Sequence, residues 1–224
     1  MASSIAVAAG RSYFVEMEGK ITALREQKRN KHRVNVYLDG EYAFSLGVQL
    51  AAELQEGSFL SAAELHELQR RDSFAKAYRK ALDYLAYRPR SRKELSDHLR
   101  GKRVPGRIIE EVLEGLAREG LVDDLAFARY WVENRERFRP RSRAMLRYEL
   151  RRKGLDEEVI SEALDAVDEE ESARRAAHQR ASRYVRLDER SFRQKMSQFL
   201  RRRGFTYHLI REVVDSLLQQ RGGD

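Results

Sequence analysis

Arginine clusters are the main chemical resource of this chain. The pentapeptide Arg-Pro-Arg-Ser-Arg stands at residues 88–92 and again at 139–143, so Arg88, Arg90 and Arg92 match Arg139, Arg141 and Arg143 position for position. Two further basic runs are Arg151-Arg152-Lys153 and Arg201-Arg202-Arg203, with Arg100-Gly101-Lys102-Arg103 as a looser counterpart after the first pentapeptide. Ser91 and Ser142 suit the N-cap of a helix, which would turn arginine side chains and unpaired backbone N–H groups toward one anion. Arginine at that end opposes the helix dipole, so a purely structural purpose explains these clusters poorly. The later runs lie where helices should end. There capping and anion contact are compatible, because cations complement the carbonyl end and Gly154 and Gly204 suit the left-handed residue just past it.

The other reactive residue types form no catalytic arrangement. Asp123-Asp124 and the group Asp165, Asp168, Glu169, Glu170 and Glu171 lack the spacing of a calcium loop, and both sit where negative charge favours a helix start. His98, His178 and His208 are isolated, and the chain contains no cysteine, which removes disulfides, thiolate metal sites and cysteine nucleophiles. Neither a phosphate-binding loop nor a dinucleotide fingerprint occurs. Trp131, Tyr84, Tyr87, Tyr148 and Tyr207 could stack on unpaired bases, but their helical spacing favours core packing. The expectation is a binding protein, not an enzyme, with no cofactor and no metal.

Composition agrees. Among 224 residues, 44 Lys and Arg outweigh 36 Asp and Glu, for a net charge of +8, and 42% apolar content suffices for real cores. That balance favours polyanionic partners. The opening MASSIAVAAGRSYFVEMEGK has no basic leader, and Gly10 and Arg11 break its apolar stretch, so no signal peptide or membrane span is expected and the cytoplasm is the expected compartment.

The elements that must position the arginines follow from periodicity. Val34, Val36 and Leu38 alternate with polar neighbours, then Asp39-Gly40 precedes Tyr42, Phe44 and Leu46, which predicts a hairpin with a two-residue type I′ turn. Ile21 to Leu24 predicts a third strand, followed by a basic loop over residues 28–33. From Ser61 and Glu64, a capping-box pair, the apolar spacing becomes helical through Leu65, Leu68, Phe74, Tyr78, Leu82 and Leu85. Sliding the chain by 51 residues sets Leu95 on Leu146, Leu99 on Leu150 and Ile109 on Ile160; a further slide of 50 sets Leu150 on Leu200, Gly154 on Gly204 and Ile160 on Ile210. The apolar pattern therefore recurs three times. Each copy reads as three helices, the first spanning 78–87, 125–138 and 173–185 in turn. Such repeats stack on each other into an elongated array. The predicted fold is mainly α: three tandem three-helix repeats after a small N-terminal β-hairpin module. Its divisions are a flexible 1–17, a β-rich 18–60, a linker helix and first repeat over 61–122, a second repeat over 123–167, and a third with its tail over 168–224.

The stretch REGLVDDLAFARYWVENRERFRPRSRAMLRYELRRKGLDEEVISEAL, residues 118–164, resembles the signature region of the RecX family, bacterial regulators of the RecA recombinase. Asp123-Asp124, Phe127-Ala128, Tyr130-Trp131 and Lys153-Gly154-Leu155 carry the resemblance. It extends over about residues 78–218, and EYAFSLGVQLAAEL is similar to the N-terminal extension of longer members. The first copy departs from it, with Lys102-Arg103-Val104-Pro105 in place of Lys-Gly-Leu. The resemblance implies a non-enzymatic protein that binds in the groove of RecA filaments on single-stranded DNA and lowers RecA's ATPase, strand-exchange and coprotease activities. Expected partners are the RecA filament and single-stranded DNA, with double-stranded DNA as a second candidate, no membrane, and a monomeric chain. A helical-repeat transcription regulator is the alternative; it would need a two-fold half-site arrangement, and the sequence has no obvious dimer element.

Overall fold

The computed structural model describes residues 17–222, so the expected flexible stretch 1–17 lies, apart from Met17, outside the described residues. The chain forms two compact units that divide at Arg79 and Lys80.

In the first unit, β1 (Gly19–Gln27), β2 (Asn30–Leu38) and β3 (Glu41–Gly47) form an antiparallel meander, and β4 (Phe59–Leu60) pairs with the start of β1, giving the order β3-β2-β1-β4. The alternation in β2 places Val34, Val36 and Leu38 inward, and Val36 opposes Phe44 while Val34 opposes Leu46. Asp39 and Gly40 have φ of 49° and 91°, the positive pair that a type I′ turn requires. The basic stretch 28–33 differs from expectation. Only Lys28-Arg29 turns, and β2 begins at Asn30, opposite Gln27. Pairing of Asn30 with Gln27 on one side and of Arg33 with Gly47 on the other extends the strand through Lys31 and His32, whose side chains are solvated, and composition does not register such pairing. β4 was unexpected because two residues are too few to show alternation.

After the short α1 (Val48–Ala51), Ser61 and Glu64 close the anticipated capping box: the Ser61 amide donates to Glu64 Oε2 at 2.9 Å and the Glu64 amide to Ser61 Oγ at 3.3 Å. They open α2 (Ala62–Leu85), a single helix of 24 residues that includes both the linker helix and the first helix of the first repeat. Its Leu65 and Leu68 join Ile21, Val36 and Leu46 in one apolar cluster. Asp72, 5% exposed, accepts from Arg33 Nη1 at 2.6 Å and the Gly47 amide at 2.9 Å and pairs with Lys76 at 2.6 Å. Burial pushes its carboxyl pKa up, but Lys76, the Gly47 amide and Arg33 together hold it below the ordinary value.

The second unit is helical: α3 (Arg92–Gly101), α4 (Gly106–Arg118), α5 (Asp124–Phe138), α6 (Arg143–Arg152), α7 (Glu157–Leu164), α8 (Glu169–Ala181), α9 (Glu189–Arg202) and α10 (Tyr207–Gly222). Three three-helix repeats result, the second being α5–α7 and the third α8–α10. Leu95, Leu146 and Met196 are each fully buried, as are Leu99, Leu150 and Leu200, so the matched apolar positions are the matched core positions. The first helix of the third repeat starts at Glu169, not Ala173. Asp168 caps it by accepting from the Glu171 amide at 3.0 Å, and the acids of its first turn suit the dipole. It closes at Ala181 and tightens into a 3-10 turn, Ser182–Tyr184.

Consecutive middle helices meet head to tail. Ser91 and Ser142, the serines of the two pentapeptides, are 0% exposed and cap α3 and α6 by accepting from the Glu94 and Met145 amides. Each also reaches the next repeat. Ser91 Oγ donates to the Lys153 carbonyl at 2.7 Å, and the Ser142 amide donates to the Arg203 carbonyl at 3.1 Å. The carbonyl end of α6 thus docks on the amide end of α3, and that of α9 on α6, with dipoles aligned. Gly154 and Gly204 make the approach possible. Their φ values are +81° and +92°, and a Cβ on Gly204 would lie 2.5 Å from Ser142 Oγ. Arg103 holds the same place in the first repeat with φ 60°. At the other end, α9 begins about a turn earlier than α3 and α6. Phe192, fully buried, takes the position of the serine, and Asp188 caps the helix.

Two outcomes follow. Gly204→Ala should lower unfolding free energy by about 2 kcal/mol in urea titration, through left-handed strain and overlap with Ser142. Asp72→Asn should cost about 3 kcal/mol at neutral pH by stranding Arg33. Because the Asp72 carboxyl is held low when folded, its contribution is complete above its unfolded pKa and disappears as pH falls through the folded one. The Asp72→Asn deficit should therefore shrink in acid, read as the difference in urea midpoint between variant and parent.

Candidate functional site

The first pentapeptide is largely engaged within the fold. Arg88 makes a two-pronged bond to Glu94, both contacts at 3.0 Å, and Lys153 reaches Glu94 Oε1 at 2.5 Å. Burial raises the Glu94 pKa, but hydrogen bonds from Arg88 and Lys153 and their charges bring it below the ordinary carboxylate value. Arg90 lies over the Tyr84 ring at 3.8 Å, and the other face of Tyr84 stacks on His98 at 4.0 Å. Burial, with Lys102, Arg90 and Lys80 nearby, holds the His98 pKa down. The Arg92 amide, first in α3, is taken by Asp124 Oδ1 at 2.9 Å; burial raises that carboxyl's pKa against the bond. The free amide end that sequence reasoning anticipated for α3 is therefore occupied, by Ser91 and Asp124.

The second pentapeptide has the same register but a different charge balance. Arg141 pairs with Glu149 at 2.6 Å, and Arg135 with the same carboxylate at 2.8 Å, which also accepts from Trp131 Nε1. Arg139 is exposed and Arg143 half-buried, and neither side chain has a partner among the described residues. Arg203, counterpart of Lys153, donates from Nη1 to the Pro140 carbonyl at 3.2 Å and lies 5.0 Å from the Phe199 ring centroid. Arg180 approaches the same ring at 5.2 Å. Burial first, then the charges of Arg141, Arg139, Arg180 and Arg135, hold the Arg203 pKa below its ordinary value. Burial alone would lower it, and the four neighbouring arginines act in the same direction.

The runs at the helix ends separate into engaged and open members. Lys153 and Arg203 turn inward to the junctions. Arg151 pairs with Glu157 at 2.8 Å, Arg152 is exposed 5.9 Å from the Tyr148 ring, and Arg201 and Arg202 are exposed at the end of α9 with no side-chain partner among the described residues. Asp123, Asp168 and Asp188 are N-caps, accepting amide bonds at 2.8–3.0 Å. Trp131 is half-buried against Phe127, whereas Tyr87 and Tyr207 are 85% and 79% exposed and so are not core residues.

Sequence reasoning missed Glu94, Glu149, Arg135 and Arg180, which decide where positive charge is cancelled. The signal was available in the repeat alignment. Glu94 falls on Met145 after the 51-residue shift, a charge lost at an otherwise matched position. Among the described residues, no group of three or more His, Cys, Asp or Glu side chains could hold a metal ion, and no helix is long and apolar enough to cross a membrane.

Comparison with known proteins places these features in a family. The regulatory protein RecX N-terminal domain matches residues 19–59, and the first, second and third three-helix domains of RecX match residues 77–116, 123–164 and 168–214. The chain is 36% identical over 205 residues to the regulatory protein RecX of Bacillus licheniformis, covering 89% of this chain and 76% of that protein. It is 32% identical over 202 residues to that of Bacillus subtilis, covering 88% and 76%. A crystal structure of regulatory protein RecX is similar at TM-score 0.65 and 31% identity, over 88% of this chain and 98% of the other. The crystal structure of RecX from Lactobacillus salivarius gives 0.55 at 28% identity, over 66% and 97%. With the four domains in order, relatives above 30% identity and a shared fold, the chain belongs to the RecX family of regulatory proteins.

Proposed function

We propose that this chain acts as a monomer in the cytoplasm, seating in the groove of RecA filaments on single-stranded DNA and lowering their ATPase, strand-exchange and coprotease activities without chemistry of its own. One observation carries the reading. The middle helices succeed one another head to tail, and each ends in exposed cations: Arg100 in the last turn of α3 with Lys102 at its C-cap, Arg151 and Arg152 on α6, Arg201 and Arg202 on α9. A recurring row of cations suits a partner that is itself periodic and polyanionic. The arginines and lysines placed in this role are Arg88, Arg90, Arg92, Arg139, Arg141, Arg143, Arg151, Arg152, Lys153, Arg201, Arg202 and Arg203. The exposed members, Arg139, Arg152, Arg201 and Arg202, and the half-buried Arg143 are the ones free to contact a partner directly; Arg88, Arg90 and Lys153 support them from within the fold.

Replacing Arg152, Arg201 and Arg202 with Ala should raise the concentration needed to halve ATP hydrolysis by a preformed RecA filament by about tenfold at fixed moderate salt. Their exposure predicts stability changes of about half a kcal/mol or less each, so circular dichroism melting should be unaltered. A triple variant that inhibits as well as the parent would place the contact surface elsewhere.

A further inference from the structure

The two junctions between middle helices are built from the same positions, yet only one is electrically closed. At the first, Glu94 stands between Arg88 and Lys153 and satisfies both. At the second, the equivalents of those cations are Arg139 and Arg203, and the position of Glu94 holds Met145. The equivalence is structural as well as sequential, because Ser91 caps the Glu94 amide as Ser142 caps the Met145 amide. Arg139, Arg180 and Arg203 have no carboxylate within ion-pair distance among the described residues, and the nearby Arg135 and Arg141 share the single Glu149. Arg203 donates to the carbonyl of Pro140, the residue next to Arg139, and shares the Phe199 ring with Arg180, whose Nε donates to the Tyr184 hydroxyl at 3.1 Å, so the three cations are carried by neighbouring segments. Arg135, Arg141 and Met145 line a separate cavity together with Glu149, Arg152 and Lys153, which Arg139, Arg180 and Arg203 do not line. The fold holds Arg203 at the junction although burial and its neighbours disfavour its charge.

We propose that the junction between α6 and α9 is a seat for one phosphodiester of single-stranded DNA, held by Arg139, Arg180 and Arg203, and that the corresponding junction between α3 and α6 is closed to phosphate by Glu94. The proposal rests on the reading of DNA as a partner and deepens it by assigning the phosphate to one of two homologous places. Phosphate fits better than a protein carboxylate. Guanidinium groups are offered by different elements, the α5–α6 loop, α8 and the end of α9, and a phosphodiester carries its oxygens tetrahedrally, in more than one plane, whereas the two oxygens of a carboxylate lie in one plane.

The test exchanges the discriminating residue between junctions. Binding of a labelled oligothymidylate is measured by anisotropy across a range of salt for the full chain, Met145→Glu, Glu94→Met and Arg139→Ala, with circular dichroism to verify folding. Met145→Glu should weaken binding about fivefold at 0.1 M salt and reduce the log–log salt slope by about 0.7, the value for one phosphate on a single strand. Glu94→Met should have the opposite sign on both readings by opening the first junction. Arg139 is exposed, so Arg139→Ala gives the same loss as Met145→Glu even if the change at the half-buried Met145 perturbs folding. A folded Met145→Glu and an Arg139→Ala that both bind with parental affinity and slope overturn the proposal. Inhibition of RecA-filament ATPase is followed in parallel. Loss of that inhibition with unchanged oligonucleotide binding also overturns the proposal, assigning the seat to a protein carboxylate. A parent that binds the oligonucleotide with the predicted slope change but does not inhibit RecA sustains this seat and removes the RecA reading instead.

Discussion

The docking of one helix's carbonyl end onto the next helix's capped amide end is the contact on which the rest of the helical unit depends. Ser91 and Ser142 each satisfy two obligations at a buried place: they cap their own helix and bond the Lys153 or Arg203 backbone of the following repeat. A buried helix terminus without partners would strand several polar groups, and here the strands of helix ends are mutually satisfied. The close approach requires Gly154 and Gly204, whose left-handed backbone both ends the helix and leaves room for the incoming residue. The aligned dipoles add to the contact. Core leucines fill each repeat, but these junctions set how one repeat follows another.

This arrangement explains why the arginines of the pentapeptide recur. They flank the docking serine, so the first set stands close to Lys153 and the second to Arg203 of the next helix end. Cations gathered at a semi-buried junction repel each other and need compensation. The first junction supplies it from within the chain through Glu94; the second supplies it in part through Glu149, leaving Arg139, Arg180 and Arg203 without an acid. Duplicated sequence has thus produced two places of like geometry and unlike electrostatics.

Much of the fold was legible because its determinants are local or periodic. The Asp39-Gly40 turn, the Ser61 and Glu64 capping box, the helix-start acids Asp123-Asp124 and Asp168 to Glu171, and the threefold apolar register all act within a few residues and are found where their patterns lie; Asp165, expected with the second acidic group, stands instead at the C-cap of α7. Less legible were features that depend on partners far along the chain. β4 exists because Gly19 and Lys20 pair with it, and the basic start of β2 is strand because its neighbours bond it. The candidate site divides in the same way. Its cations are plain in the sequence, while the carboxylates that neutralise some of them, 59 residues away in the case of Glu94 and Lys153, become identifiable only once the junctions are assembled.

The one-turn extension of α9 has a consequence for assembly. A head-to-tail contact between identical modules has no built-in end, and offered between molecules it would propagate into a fibre. This chain lacks the contact's requirements at both extremities. Where a docking serine would stand on α9, Phe192 is buried beneath Tyr184 and Arg221, and the helix projects a further turn to Asp188, whose carboxylate would face the negative end of an incoming helix. At the opposite extremity Arg103 replaces the glycine that admits the serine. The residues that break the repeat pattern thus remove, at each extremity, features that the stacking between modules uses.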